Sequence, residues 1–185
     1  ETVIVQDIFI NETAREFATI FLPAASVFEH DGTFMNSERR IQRVRQAVPP
    51  PGTARPDWQI LCDVARAMGR GSGFGFGSAA EIWDEVRAAW PGGAGVTGER
   101  LDQSGVQWPC PDADHPGTPV LHRERFPRGR GRLIPVGHTP PAELPDGEYP
   151  LQLTTFRLHH QYGSGSMTRR APLLERENPR GLLWI

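Results

Sequence analysis

ETVIVQDIFINETAREFATIFLPAAS, residues 1 to 26, is the stretch on which the fold turns. Val3 to Val5 is a β-branched run of the kind that fills a strand buried on both faces. Asn11 carries the short amide that caps a helix, which predicts a helix from there through Thr19. Ile20 to Leu22 repeats the strand signal until Pro23, which lacks an N–H, stops it. Strand, short helix and strand make a βαβ unit, and with it a parallel α/β sheet. The chain enters this run almost at once and has no initiator methionine, so it reads as a piece excised from a longer polypeptide.

Further along, residues 29 to 37 (EHDGTFMNS) are polar around Gly32 and read as a loop, and Arg40 to Val44 as a further short strand before the PPPG break at 49 to 52. Asp57 stands where an N-cap belongs. Trp58, Leu61, Ala65 and Met68 share one face of a helix running to about Gly69. Ser78 and Glu81 form an S-x-x-E capping box ahead of Ile82, Trp83, Val86 and Trp90, so a second amphipathic helix is expected. GRGSGFGFG, residues 69 to 77, follows a helix instead of a strand and misses the spacing of a dinucleotide fingerprint, so it reads as a connector. From Val96 to Asp146 the chain is rich in Pro, Gly and Arg, a wrapping connection with short strand candidates such as Leu133 to Val136. Tyr149 to Thr155 restores a strand pattern, and the composition shift at Leu144 to Pro150 marks a domain boundary.

Composition narrows the function classes. The 185 residues are 38% hydrophobic and 23% charged, enough for one sizeable core or a domain plus part of another. A net charge of −2 gives no global attraction to nucleic acid or an anionic membrane. All twenty basic residues are arginine, so each cationic contact is a planar fork suited to phosphate. Arg123 to Arg132 concentrates five of them. A solvated basic loop, or one packed on a phosphate-bearing cofactor, fits that run better than RNA binding. Cys62 and Cys110 form no C-x-x-C pair, and they fit a reducing compartment, here taken as the cytoplasm. No apolar run has the length of a membrane helix. The standard nucleophile and zinc-protease motifs are absent, so no catalytic residue is assigned.

The polar chemistry concentrates in LTTFRLHHQYGSGSMTRR, residues 153 to 170. Thr154, Thr155 and Arg157 close the strand candidate, and Ser164, Ser166 and Thr168 add hydroxyl donors among Gly163 and Gly165. This is the composition of an anion cradle around one guanidinium, and equally that of an ordinary polar turn. His159 and His160 are adjacent, so on extended backbone their side chains diverge and cannot chelate one metal together. Asp57 is explained as a cap, yet a carboxylate at a loop-to-helix junction can also accept both donors of a guanine edge. Glu29, His30 and Asp31 open a polar loop after a strand, where nucleotides bind in α/β sheets.

VIVQDIFINETAREFATIFLPAASVFEHDGTFMNSERRIQRV, followed by RPDWQILCDVARAMG, EIWDEVR, ERLDQSGVQWPCP, DHPGTPVLH and EYPLQLTT, resembles the later part of a molybdopterin-dependent oxidoreductase, specifically the formate dehydrogenase large (alpha) subunit. The resemblance implies a partial Rossmann-like α/β domain over residues 1 to 145. It also implies the beginning of a molybdopterin dinucleotide-binding β-barrel domain over 146 to 185. It implies two molybdopterin guanine dinucleotides holding molybdenum or tungsten, and a 4Fe-4S cluster upstream in the parent chain. Formate is the implied substrate, oxidised to CO2, with electron-transfer subunits (iron–sulfur or flavin) as partners and neither nucleic acid nor membrane. By position, Gln6, Asp7, His30 and Asp57 match contacts to one guanine dinucleotide. Thr155, Arg157, Gln161, Tyr162, Ser164, Ser166 and Thr168 match the segment that wraps a pterin dinucleotide near the metal. The sequence departs from the family where Gln161 and Gly163 stand in place of histidines. The alternative reading is a stand-alone nucleotide-binding or scaffold module that has lost the cofactor.

Overall fold

The computed structural model describes residues 1 to 179 and Gly181. These fall into two compact units, Glu1–Gly131 and the residues from Arg132 onward.

The first unit opens with the βαβ arrangement. Strands β1 (Ile4–Asp7) and β2 (Ile20–Pro23) pair in parallel with Ile4 opposite Ile20 and Asp7 opposite Pro23. Between them runs α1 (Glu12–Phe17), which is shorter than the expected helix through Thr19. Its cap is as read: Asn11 Oδ1 accepts from the Ala14 N–H at 2.9 Å. The chain then returns beside β2, where a parallel bridge joins Ala24 to Arg55. Helix α2 (Asp57–Ala67) starts two residues later.

Asp57 is not the cap of that helix. Pro56 takes the N-cap position and Asp57 is the first helical residue, where its carboxylate still complements the positive end of the helix dipole. The buried face is the expected one only in part, at Ala65 and half-buried Trp58. Ile60, Cys62 and Ala65 point inward, whereas Leu61 and Met68 are exposed. α2 also ends at Ala67, before Gly69.

Residues 29 to 37 are not a simple loop. They contain β3 (Gly32–Met35), which forms an antiparallel hairpin with β4 (Arg40–Val44). Asn36 makes the turn, its side-chain oxygen accepting from the Glu38 and Arg40 N–H groups at 2.9 and 3.1 Å. Arg39 follows with φ +62° and aims its guanidinium at the carbonyls of Trp108, Thr118 and Pro119.

The stretch expected to be a wrapping connection carries the core instead. Helix α3 (Ala79–Ala89) is capped by Ser78, which accepts from the Glu81 N–H, while the Glu81 carboxylate reaches back to the Gly77 N–H. Thr97 then caps α4 (Gly98–Gln103), and β5 (Val106–Gln107) adds to β4. Ile41, Val96, Leu101, Val106 and Cys110 are buried together, with Trp83, Trp90 and Trp108 packed against them. Gly95 is required there, because a Cβ would stand 1.8 Å from the Asp112 carbonyl oxygen. Past Thr118 the first unit carries no helix or strand among the described residues, and Arg123, Arg125, Phe126, Arg128 and Arg130 are all exposed.

In the second unit, the expected strands Leu133 to Val136 and Tyr149 to Thr155 are irregular and exposed. Apolar side chains alone do not make a strand. Its backbone groups need a neighbouring ladder, and none pairs with these segments among the described residues. The ordered part begins with a 3-10 turn at His159–Gln161 and ends in α5 (Pro172–Glu177). That turn also removes the premise of extended backbone at the two histidines, whose rings meet edge-on at 5.7 Å.

Candidate functional site

The carboxyl ends of β1 and β2 and the start of α2 come together in the first unit. The parallel register places Gln6 opposite Leu22, and the Arg55 N–H donates to the Pro23 carbonyl at 3.1 Å. Two residues beyond Arg55, the Asp57 carboxylate accepts a hydrogen bond from the Gln6 side-chain amide. Gln6 is half-buried and Asp57 exposed. The helix behind Asp57 has no side-chain cap, which leaves orphan N–H groups at its first turn. An amide, a carboxylate and an open helix start are thus gathered where open α/β sheets bind ligands.

Asp7 and His30 are held differently. The Asp7 carboxylate accepts from the Phe9 N–H at 3.1 Å and from the Asn11 side-chain amide at 2.8 Å, so it braces the passage from β1 into α1. Asn11 therefore acts twice, as helix cap and as brace. The D-x-F-x-N spacing is a signal of this that sequence reasoning passed over. His30 is half-buried, and its Nδ1 lies 2.9 Å from the Asp31 carbonyl, which can only accept; in the neutral ring Nε2 is then the acceptor. The structure gives no contact between His30 and Gln6, Asp7 or Asp57.

In the second unit, Thr155 and Arg157 are exposed, and the Arg157 guanidinium lies beside Gly163. Gln161 is 2% exposed, yet it is a polar side chain. Its Oε1 accepts from the Thr168 hydroxyl at 2.9 Å, and its Nε2 faces Leu174 O, Glu175 Oε2 and Asn178 O at 3.3 to 3.4 Å. Tyr162 is 90% exposed with φ +41°. The Ser164 and Ser166 hydroxyls meet at 3.1 Å on the outside of the same turn.

Among the described residues no group of three His, Cys, Asp or Glu side chains is arranged to hold a metal, and no helix is long and apolar enough to cross a membrane. A cavity of about 30 Å³ beside Thr33 and Trp83 has room for one water, and none of the candidate residues lines it.

Residues 1–67 match the molybdopterin oxidoreductase family. Over 94% of its length the chain is 51% identical to the F420-dependent formate dehydrogenase 2 subunit alpha of Methanococcus maripaludis and 46% identical to the F420-dependent formate dehydrogenase subunit alpha of Methanocaldococcus jannaschii, covering 26% of each. It is also 42% identical over 91% of its length to the assimilatory nitrate reductase catalytic subunit of Bacillus subtilis, covering 25% of that protein. The chain is part of a molybdopterin oxidoreductase related to formate dehydrogenase alpha subunits. It spans about a quarter of the length of the curated relatives it matches.

Proposed function

We propose that the chain is a cofactor-binding part of a bis-(molybdopterin guanine dinucleotide) formate dehydrogenase with molybdenum or tungsten, whose full-length parent oxidises formate to CO2. The observation that carries this reading is the Gln6–Asp57 contact at the carboxyl ends of β1 and β2, beside the uncapped start of α2. When bound, the metal and its pterins supply the two-electron oxidation, which leaves CO2 and a proton.

The chain's own residues bind and orient. Guanine presents N1–H and N2–H2 along one edge, and a carboxylate is the side chain that only accepts. Gln6 holds one Asp57 oxygen, restricting the carboxylate while its second oxygen stays available for a ligand donor. His30 offers an acceptor nitrogen in the polar loop, and Asp7 keeps the strand end in shape. In the second unit Arg157 pairs with phosphate or pterin oxygens, Thr155, Ser164 and Ser166 donate around it, and exposed Tyr162 offers an aromatic face. In the parent the division falls near residue 145 and the later part begins a β-barrel. A 4Fe-4S cluster elsewhere in the parent would supply one-electron transfer to electron-transfer subunits, and the compartment this reading assigns is the cytoplasm.

Formate as substrate draws support from the relatives named formate dehydrogenase, although a nitrate reductase matches over nearly the same stretch. The test is to purify the full-length parent and determine metal and released guanine nucleotide. This reading expects about one molybdenum or tungsten and about two guanine nucleotides per chain. The alternative, a scaffold module that has lost the cofactor, draws on the internal use of Gln161 and Thr168, and it expects neither in a folded, iron-loaded parent.

A further inference from the structure

A buried carboxamide is costly unless its donors and acceptor are met, and Gln161 is the buried polar side chain among the described residues. Its acceptor takes the Thr168 hydroxyl, and its two amide protons face three acceptors at the end of α5. Nothing of the amide is left to offer a ligand. The Thr168 hydroxyl also lies 2.9 Å from the Gln161 carbonyl oxygen, so side chain and backbone of Gln161 converge on one group. The Arg169 guanidinium, paired with Glu175 at 3.0 Å, ties the same turn to α5 a second time.

Between Gln161 and Thr168 the backbone takes a demanding path. Tyr162 has φ +41°, Gly163 +87° and Gly165 +73°. The left-handed region is natural for glycine and unfavourable for tyrosine, so Tyr162 stays there only because its surroundings impose it. Gly165 is also crowded, since a Cβ would meet the Gln161 carboxamide oxygen at 3.1 Å and the Arg169 side chain at 3.0 Å.

From this we infer that Gln161 is a positioning residue. It does not touch the cofactor but closes the turn from behind, through Thr168 and α5, and so holds Tyr162, Ser164 and Ser166 in the shape that receives it. The inference rests on the cofactor reading above and changes what Gln161 does within it. A neutral imidazole at this place would supply one donor where the amide supplies two.

The experiment uses the full-length parent with Gln161→Leu, Thr168→Val, Thr168→Ser and the double variant Gln161→Leu/Thr168→Val. Guanine nucleotide released per chain and the rate of chymotryptic cleavage after Tyr162 are read in each. Gln161→Leu and Thr168→Val are each expected to lower nucleotide content from about two toward about one per chain and to raise cleavage by roughly tenfold, the scale of one broken buried hydrogen bond. Thr168→Ser restores the hydroxyl and with it the wild-type values. The double variant loses less than the sum of the two single losses, because the side-chain contact is shared, while the Thr168 hydroxyl keeps the Gln161 carbonyl as a partner in Gln161→Leu. Thr168→Val nearly conserves volume, so it decides the matter if Gln161→Leu fails to fold. Full nucleotide content in Thr168→Val, no rescue by Thr168→Ser, or additive losses would each overturn the inference. A wild-type parent without guanine nucleotide instead overturns the cofactor reading and, with it, the ligand assigned to this turn.

Discussion

Asp57 and Gln161 mark the two polar stretches of the chain, and each is held by different means. Asp57 sits on a framework: the β1–β2 ladder, the backbone bonds of Arg55 and a helix with buried Ile60, Cys62 and Ala65 all fix its Cα, and Gln6 adds a side-chain tie. The turn after Gln161 has no ladder, and two side-chain ties close it: the Gln161 carboxamide with the Thr168 hydroxyl, and the Arg169–Glu175 pair. Where many backbone bonds set a position, a single side chain can be lost with a local effect. Where a few side chains set it, the loss of one spreads over the whole turn.

Three substitutions in the full-length parent test that contrast. The largest effect is expected from Ile60→Ala, because Ile60 is 1% exposed on the inner face of α2. It should lower the unfolding free energy by about 2 to 5 kcal/mol in denaturant titration. If amide exchange in α2 stays at the wild-type rate, the framework is not what holds Asp57. Next comes Asp57→Asn, which sets an amide against the donors of the proposed guanine edge. Guanine nucleotide content should fall from about two toward about one per chain while the unfolding midpoint stays put, and unchanged content would detach Asp57 from the ligand. The smallest effect is that of Asn11→Ala, at about 1 kcal/mol for a helix cap. A loss much above that would show that the bond to Asp7 braces β1 as firmly as the ladder does.

The βαβ unit was legible because a β-branched run and an apolar run flank an asparagine cap, and local chemistry alone specifies each piece. The Asp57 cap was misread because Pro56 supplies a fixed φ at the boundary and pushes the acid one residue into the helix. β3 hid behind Gly32 and its polar neighbours, since its pairing with β4 is a matter of the Asn36 turn. The abundance of proline and glycine after Val96 concealed α4 and β5, and with them the core around Cys110. Tyr149 to Thr155 shows the reverse, an apolar pattern read as a strand that has no pairing partner among the described residues. At the site, the residue types were legible but their meeting was not: Gln6 and Asp57 stand 51 residues apart, and no local rule joins them. The burial of Gln161 was hidden in the same way, because its partners come from α5.

The arginine-rich run after His122 has a practical side. Almost every arginine between Arg39 and Arg100 is tied to a carbonyl or a carboxylate, whereas Arg123, Arg125, Arg128 and Arg130 lie open along the end of the first unit. A trypsin-like enzyme would find its cutting points clustered there, so brief digestion should sever the chain near the seam and yield two pieces for separate study.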